Sequence, residues 1–233
     1  MVEPRASTSS VPAARKALEP CPAATIRTAV TVPLRFADGY ATTARVFTFD
    51  ALVDGGEHLA IGLGDWQGVL DRSARGGAPP LVRPHSECLT GDVLGSQRCD
   101  CGPQLREAVE QITEAGGFLL YLRQEGRGIG LYAKLDAYAL QDAGLDTYEA
   151  NLALGRGEDE RDYTAAAQML RALGADRVAL LSNNPDKAFQ LDRLGVRVTK
   201  RIPTGLHLSE ANVRYLTAKV RRSAHTIDLP PAG

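Results

Sequence analysis

The chain of 233 residues reads as one mixed α/β domain, a single sheet flanked by helices, behind a flexible N-terminal tail. Three observations carry this reading. Short β-branched segments fill the first half, amphipathic helical patterns alternate with apolar runs in the second, and charged motifs gather where strands end. A composition of 44% hydrophobic and 24% charged residues suits one sizeable soluble core.

Residues 1–25 are rich in Ala, Pro and Ser without sustained periodicity, so they are set apart as a flexible extension from the domain at 26–228. Ile26–Phe36, Ala41–Phe49, His58–Leu63 and Pro80–Val82 alternate or run apolar and read as strands. After Cys101 the period changes. Leu105, Ala108, Val109 and Ile112 share one helical face, and Gly116 stands where that helix stops. Gly117–Leu122 follows as a buried strand, then Leu131–Gly144 and Tyr163–Gly174 as helices and Arg177–Ser182 as a strand. Pro185 opens a helix that runs to Gly195. A last strand, Gly195–Pro203, and a closing helix over Ser209–Arg222 complete the pattern.

A net charge of −1 gives no overall electrostatic case for nucleic acid or an anionic membrane, so an anionic ligand must be met by local basic residues. No run approaches the ~18 apolar residues of a membrane span, and no apolar segment follows Arg5, Arg15 and Lys16. A cytoplasmic protein is therefore expected. Its four cysteines are expected to be reduced thiols with chemical duties, apart from the isolated Cys21.

Three of them fall in HSECLTGDVLGSQRCDC. Cys88, Cys99 and Cys101 form C-x10-C-x-C, in which the last two sulfurs face one centre if Asp100 turns away. Three thiolates suit zinc better than magnesium or calcium, and three protein ligands leave a fourth position for water. Two plainer readings stand beside this one. The thiols are small buried hydrophobes, which Glu87, Asp92, Arg98 and Asp100 argue against, or His85 completes a closed structural site.

RQEGRGIG, Arg123 to Gly130, follows a buried strand, and its glycines let backbone N–H groups approach an anion while Arg123 and Arg127 offer phosphate contacts. It is neither a Walker loop nor a Rossmann fingerprint. Taken alone, it fits a sharp turn with solvated arginines equally well. GRGEDERDY places Asp159 and Arg161 two apart, a pattern that is usually surface pairing. SNNPDK sets Ser182 and Lys187 at a strand end and a helix start, which also fits a simple Asn-rich turn.

Taken in order, HSECLTGD, RCDCG, RQEGRGIGL, KLDAYALQD, D-T-x-E-A-N at Asp146 to Asn151, DERDY and LLSNNPDK resemble the GTP cyclohydrolase II family, from about Thr28 to His225. The resemblance implies an enzyme of riboflavin biosynthesis that opens the imidazole ring of GTP and releases formate and pyrophosphate, giving 2,5-diamino-6-(5-phospho-ribosylamino)pyrimidin-4(3H)-one. It implies a zinc ion on Cys88, Cys99 and Cys101, magnesium with the triphosphate, and a homodimer. GTP is expected against Arg83, His85, Ser86, Glu87, Gln104, Glu125, Gly126, Arg127, Thr147, Ser182 and Lys187. Tyr138 stands beside the guanine, while Asp159 and Arg161 match the proton acceptor and nucleophile. Alternatives are a paralogue that keeps the formyl group or serves another pathway, and a non-catalytic zinc-stabilised nucleotide-binding regulator. Asp136 stands where the family often has a basic residue, an acid that suits a triphosphate site only if it faces solvent. Pro84 departs from the pattern too, removing a backbone donor beside His85, and Ser182 replaces a threonine.

Overall fold

The structure, a computed structural model, describes residues 21–157, 159–205, 207 and 212, the side chains of 147 and 148 excepted. Most of the N-terminal extension and of the expected closing helix lies outside the described residues. Seven strands form one sheet: β1 (Thr25–Arg35), β2 (Ala41–Asp50), β3 (Leu59–Leu63), β4 (Leu81–Ser86), β5 (Gly117–Leu122), β6 (Arg177–Leu181) and β7 (Arg197–Ile202). Their order is β1-β2-β3-β5-β4-β6-β7. Pairing is antiparallel from β1 through β3 to β5 and parallel from β5 through β4 and β6 to β7, so the sheet is mixed as expected.

The described α-helices are α1 (Trp66–Ala74), α2 (Cys101–Ala115), α3 (Leu131–Asp142), α4 (Thr147–Ala153), α5 (Thr164–Ala172) and α6 (Pro185–Arg193). Successive strand residues face opposite sides, and both sides are covered. Val82, Phe118, Leu120, Leu122, Val178 and Leu180 pack with Met169 and Leu170 of α5 and Leu191 of α6. Leu81, Leu119, Ala179 and Leu181 pack with Ala108, Val109 and Ile112 of α2. Double burial is why GFLLYL and RVALL are continuously apolar instead of alternating. No described helix is long and apolar enough to cross a membrane.

Two helices depart from the sequence reading. In α1 only Val69 is buried and Gly68 interrupts the pattern; Asp65 starts it by accepting the Gly68 N–H at 3.1 Å. The seven residues of α4 are too few for a periodic signal. The strand expected to end at Val82 instead runs on through Pro84 to Ser86.

Proline in a central strand has a specific explanation here. The Leu81 and Glu87 amides donate to the Gly116 and Leu122 carbonyls on the β5 side, so even-numbered residues of β4 address β6. Pairing with β6 ends at Val82 and Leu180. Pro84 therefore lacks its N–H on the side where the ladder has already stopped. Beyond that point β4 leads through α2, over one face, to β5, while β6 leads through α6, over the other face, to β7. The crevice between their C-terminal ends is the topological switch point of the parallel half, the usual place for a ligand.

Cys21 and Ala24 pack against the core, and Gln168 of α5 fastens this segment. Its side-chain amide donates to the Pro22 and Ala51 carbonyls at 3.0 and 3.1 Å and accepts from the Val53 amide at 2.8 Å. Gln168→Leu keeps the volume but strands these buried groups, and is expected to lower stability by about 1–3 kcal/mol. Urea unfolding with an unchanged slope checks it.

Candidate active site

Three strand ends converge on an open cleft. Arg83, His85 and Ser86 arrive on β4, Glu125, Gly126 and Arg127 follow β5, and Ser182 follows β6. Glu87, Gln104, Tyr138, Arg161, Lys187 and the three cysteines line the same cleft. Of the residues singled out from the sequence, Asp159 reaches it only through Arg161, and the Thr147 side chain lies outside the described residues.

The sulfurs of Cys88, Cys99 and Cys101 lie within 4.8 Å of one another, with Cys88 and Cys99 at 3.6 Å. Cys88 leaves β4 into a π-helical turn, Leu89–Val93, and Cys101 is the first residue of α2. Asp100 between the two later cysteines is buried, and its carboxylate accepts from Gln104 Nε2. The turn fits against α2 only because both contact residues are glycines. A Cβ on Gly91 would stand 2.8 Å from the Cys99 sulfur and 3.0 Å from that of Cys88, and one on Gly102 would stand 2.4 Å from the Gly91 carbonyl oxygen.

Proximity makes the thiols unequal. Bonds from Cys101 and Cys99, with help from the Lys134 ammonium, pull Cys88 far below the usual thiol range against the cost of burial. The bond from Cys101 favours ionising Cys99, but Cys88 and burial outweigh it and push Cys99 up to about 11. Cys88, Cys99 and burial hold Cys101 well above its ordinary value. One thiolate is therefore easy and three are not, unless a cation with an affinity for sulfur joins them. The donor set and the glycine cradle fit such an ion. Among the described residues no further His, Cys, Asp or Glu joins the cluster. His85 is not a fourth ligand in this arrangement, because its Nε2 lies 3.1 Å from both oxygens of Asp92.

Buried acids brace the turn. Asp92 also accepts from the Cys88 amide at 3.0 Å and the Tyr121 hydroxyl at 2.9 Å. Glu125 accepts from the Leu89 amide at 2.7 Å, its neighbour Gly126 at 3.0 Å and Lys134 Nζ at 2.8 Å. Lys134 was not singled out from the sequence. The available signal was its place four residues before Tyr138, which puts both on one face of α3. Burial raises the Tyr138 pKa, although Thr90 and Lys134 oppose it, so the residue is a phenol able to donate a proton. Arg98, also unforeseen, lies 4.8 Å over that ring. Asp136 is exposed and outside the cleft.

The basic residues divide. Of the two readings open for Arg123, the structure gives the solvated one: it is half-exposed, donates to Glu87 at 2.7 Å and does not line the cleft. Arg127 does line it, and its φ of 63° is left-handed, an unusual state for a side-chain-bearing residue. Its carbonyl accepts the Glu160 amide at 3.0 Å, which ties the DERDY loop to RQEGRGIG. Arg161 grips Asp159 twice, through Nε at 2.7 Å and through Nη2. Burial would raise Asp159, but the Arg161 bonds and the nearby Arg127 charge hold it below the ordinary carboxylate range. Lys187 donates to the Pro84 carbonyl at 2.7 Å, using the side of β4 that the ended ladder leaves open. Asn184 caps α6 by accepting from the Asp186 amide at 2.9 Å, and Asn183, after β6, donates to Thr204 Oγ1, after β7, at 2.9 Å.

A family model described as GTP cyclohydrolase II matches residues 28–203. The chain belongs to the GTP cyclohydrolase II family. The recognition made from the ordered motifs holds, and with it the reading of the chain as an enzyme of that family. The GTP cyclohydrolase-2 of Vibrio cholerae is 47% identical over 186 residues, covering 80% of this chain and 90% of its own. That of Vibrio vulnificus is 48% identical over 182 residues, or 78% and 88% of the two chains. The riboflavin biosynthesis protein RibBA of Bacillus velezensis is 50% identical over 199 residues, which are 85% of this chain and 47% of that longer protein.

Gly91→Ala tests the sulfur cradle of this GTP cyclohydrolase II family member. The added methyl has to displace two sulfurs, so a sulfur-seeking dication is expected to bind at least about tenfold more weakly. Competition against a chromophoric chelator measures it.

Proposed function

We propose that this chain opens the imidazole ring of GTP as a zinc-dependent GTP cyclohydrolase II, releasing formate and pyrophosphate at the entry to riboflavin synthesis. The observation that carries the proposal is the gathering of three thiols, a phenol and an arginine held by an aspartate behind it in one cleft at the sheet's switch point. A zinc ion on Cys88, Cys99 and Cys101 would supply water acidified from about 15.7 toward ~7, since the guanine C8 is too weak an electrophile for neutral water.

The protein's own residues do the rest. Tyr138, kept protonated by burial, donates to the ring nitrogen that departs as the C8–N bond breaks and then orients the second water that frees formate. Arg83 is buried with Nη2 donating to Gln104 at 2.8 Å, and its Nε has no partner among the described residues, so that N–H is left for a substrate group. His85 is buried, and burial lowers its pKa despite the bond to Asp92. It therefore meets the substrate as a neutral ring. Arg127 and Lys187 face the triphosphate as fixed cations, with magnesium expected on the phosphate oxygens. The enzyme acts as a cytoplasmic homodimer in this reading.

Arg161 has two candidate roles at the α-phosphorus: covalent nucleophile, with Asp159 taking its proton, or cation that steadies phosphate charge while water attacks. Its doubly bonded pairing with Asp159 favours the second, because an acid held below its ordinary range is a poor base.

Zinc-loaded protein given GTP and Mg2+ is expected to yield formate, pyrophosphate and the pyrimidine in equal amounts by mass spectrometry and coupled assay; an intact formyl group in the product contradicts the proposal. Tyr138→Phe is expected to slow formate release about 100-fold or more. Rapid quench of turnover is expected to trap no phosphoramidate on Arg161, and finding one restores the covalent route.

A further inference from the structure

Lys134 is a buried cation that the proposed chemistry leaves without a task. It lies on the inward face of α3 and donates to the Cys88 sulfur at 3.1 Å, Thr90 Oγ1 at 3.0 Å and Glu125 Oε1 at 2.8 Å. An ammonium has three hydrogens, and these three acceptors use them all. It differs in this from a lysine that reaches for phosphate, which keeps hydrogens for its ligand.

We propose that Lys134 is a positioning residue for the metal centre: its ammonium fixes the Cys88 sulfur and draws charge from it, making Cys88 the weakest electron donor of the three thiolates. The inference rests on the reading of the cysteine cluster as a metal site. Three thiolates around a dication leave one negative charge in a buried setting, and Lys134 places a positive charge against it. A hydrogen bond from a cation withdraws density from sulfur, which leaves the bound ion a stronger Lewis acid. Glu125 then belongs to the same device. Its two oxygens are committed to Lys134, Gly126 and the Leu89 amide that follows Cys88, so it acts on the reaction through the sulfur.

The test uses full-length protein loaded with Co2+, compared with Lys134→Met. In the folded variant Co2+ and Zn2+ are expected to be held about 10–100-fold more weakly against a chelator. The sulfur-to-cobalt charge-transfer band is expected to move to lower energy, because a sulfur freed of the hydrogen bond gives up an electron more readily. The kcat should fall while KM for GTP stays within about twofold. If Lys134→Met does not fold, Lys134→Met/Glu125→Gln removes both charges of the buried pair and carries the metal-affinity and charge-transfer measurements, which do not depend on GTP binding. An unmoved band with unchanged metal affinity overturns the proposal, as does a raised KM with an unmoved band, which would make Lys134 a substrate contact. Wild-type protein that takes up Co2+ without any sulfur charge transfer instead defeats the metal reading itself, a separate outcome.

Discussion

Bringing three ionisable sulfurs within 4.8 Å of each other is the constraint to which the surrounding structure answers. Two unit charges 4 Å apart repel by about 4 kcal/mol even at an effective dielectric of 20. Three thiolates do not coexist there without cations. Lys134 supplies one from α3, and the α2 N-terminus adds the positive end of a helix dipole at Cys101. The remaining need is for a dication. The supporting acids Asp92 and Glu125 are themselves buried, and each takes three hydrogen-bonded partners. Such ionic networks seldom add to stability over an apolar core of equal volume. Their presence around one turn marks where positional control is worth more than stability.

Topology explains why the network is here. The antiparallel strands β1, β2 and β3 widen the sheet on one side without touching the cleft, while the parallel strands β5, β4 and β6 aim their C-terminal ends at it. Because α2 and α6 leave on opposite faces, nothing closes the gap between β4 and β6, and short loops from three strands reach a common point. Pro84 belongs to this geometry. A residue with an N–H facing that gap would leave an unpaired donor in it, whereas proline offers only a carbonyl, which Lys187 takes. The departure from the family pattern is thus compatible with the strand and useful to the cleft.

Much of this was legible in the sequence, for identifiable reasons. The core strands and α2, α3, α5 and α6 announce themselves by period, because each buries a face or a stripe. The gathering of the three thiols was legible from spacing, since thiols amid acids and arginine are a poor apolar core. What stayed hidden depends on three-dimensional neighbours. Lys134 looks like any helical lysine until α3 is laid over the π-helical turn. Gly91 looks like a flexible turn residue, although the sulfurs behind it are what exclude a side chain. The pairing of Arg123 with Glu87 was equally hidden, because Glu87 is distant in sequence and only the fold brings it within reach. α1 and α4 were missed because neither buries enough to leave a pattern.

The same reasoning by neighbours bears on Arg161. A neutral guanidine beside a protonated Asp159 is the species that nucleophilic attack requires. A guanidinium gives up its proton far less readily than a carboxyl, so moving the proton to Asp159 is steeply uphill, and a carboxylate held below its ordinary range adds to that cost. A covalent route therefore needs a substrate that breaks the pairing and replaces both of its hydrogen bonds. A phosphate arriving as an anion does the opposite, since it stabilises the charged guanidinium. In the proposed reaction, with Asp159 fixing its plane and Arg127 nearby, Arg161 would hold negative charge as it develops on the α-phosphate. That role requires only that the ion pair persist through turnover.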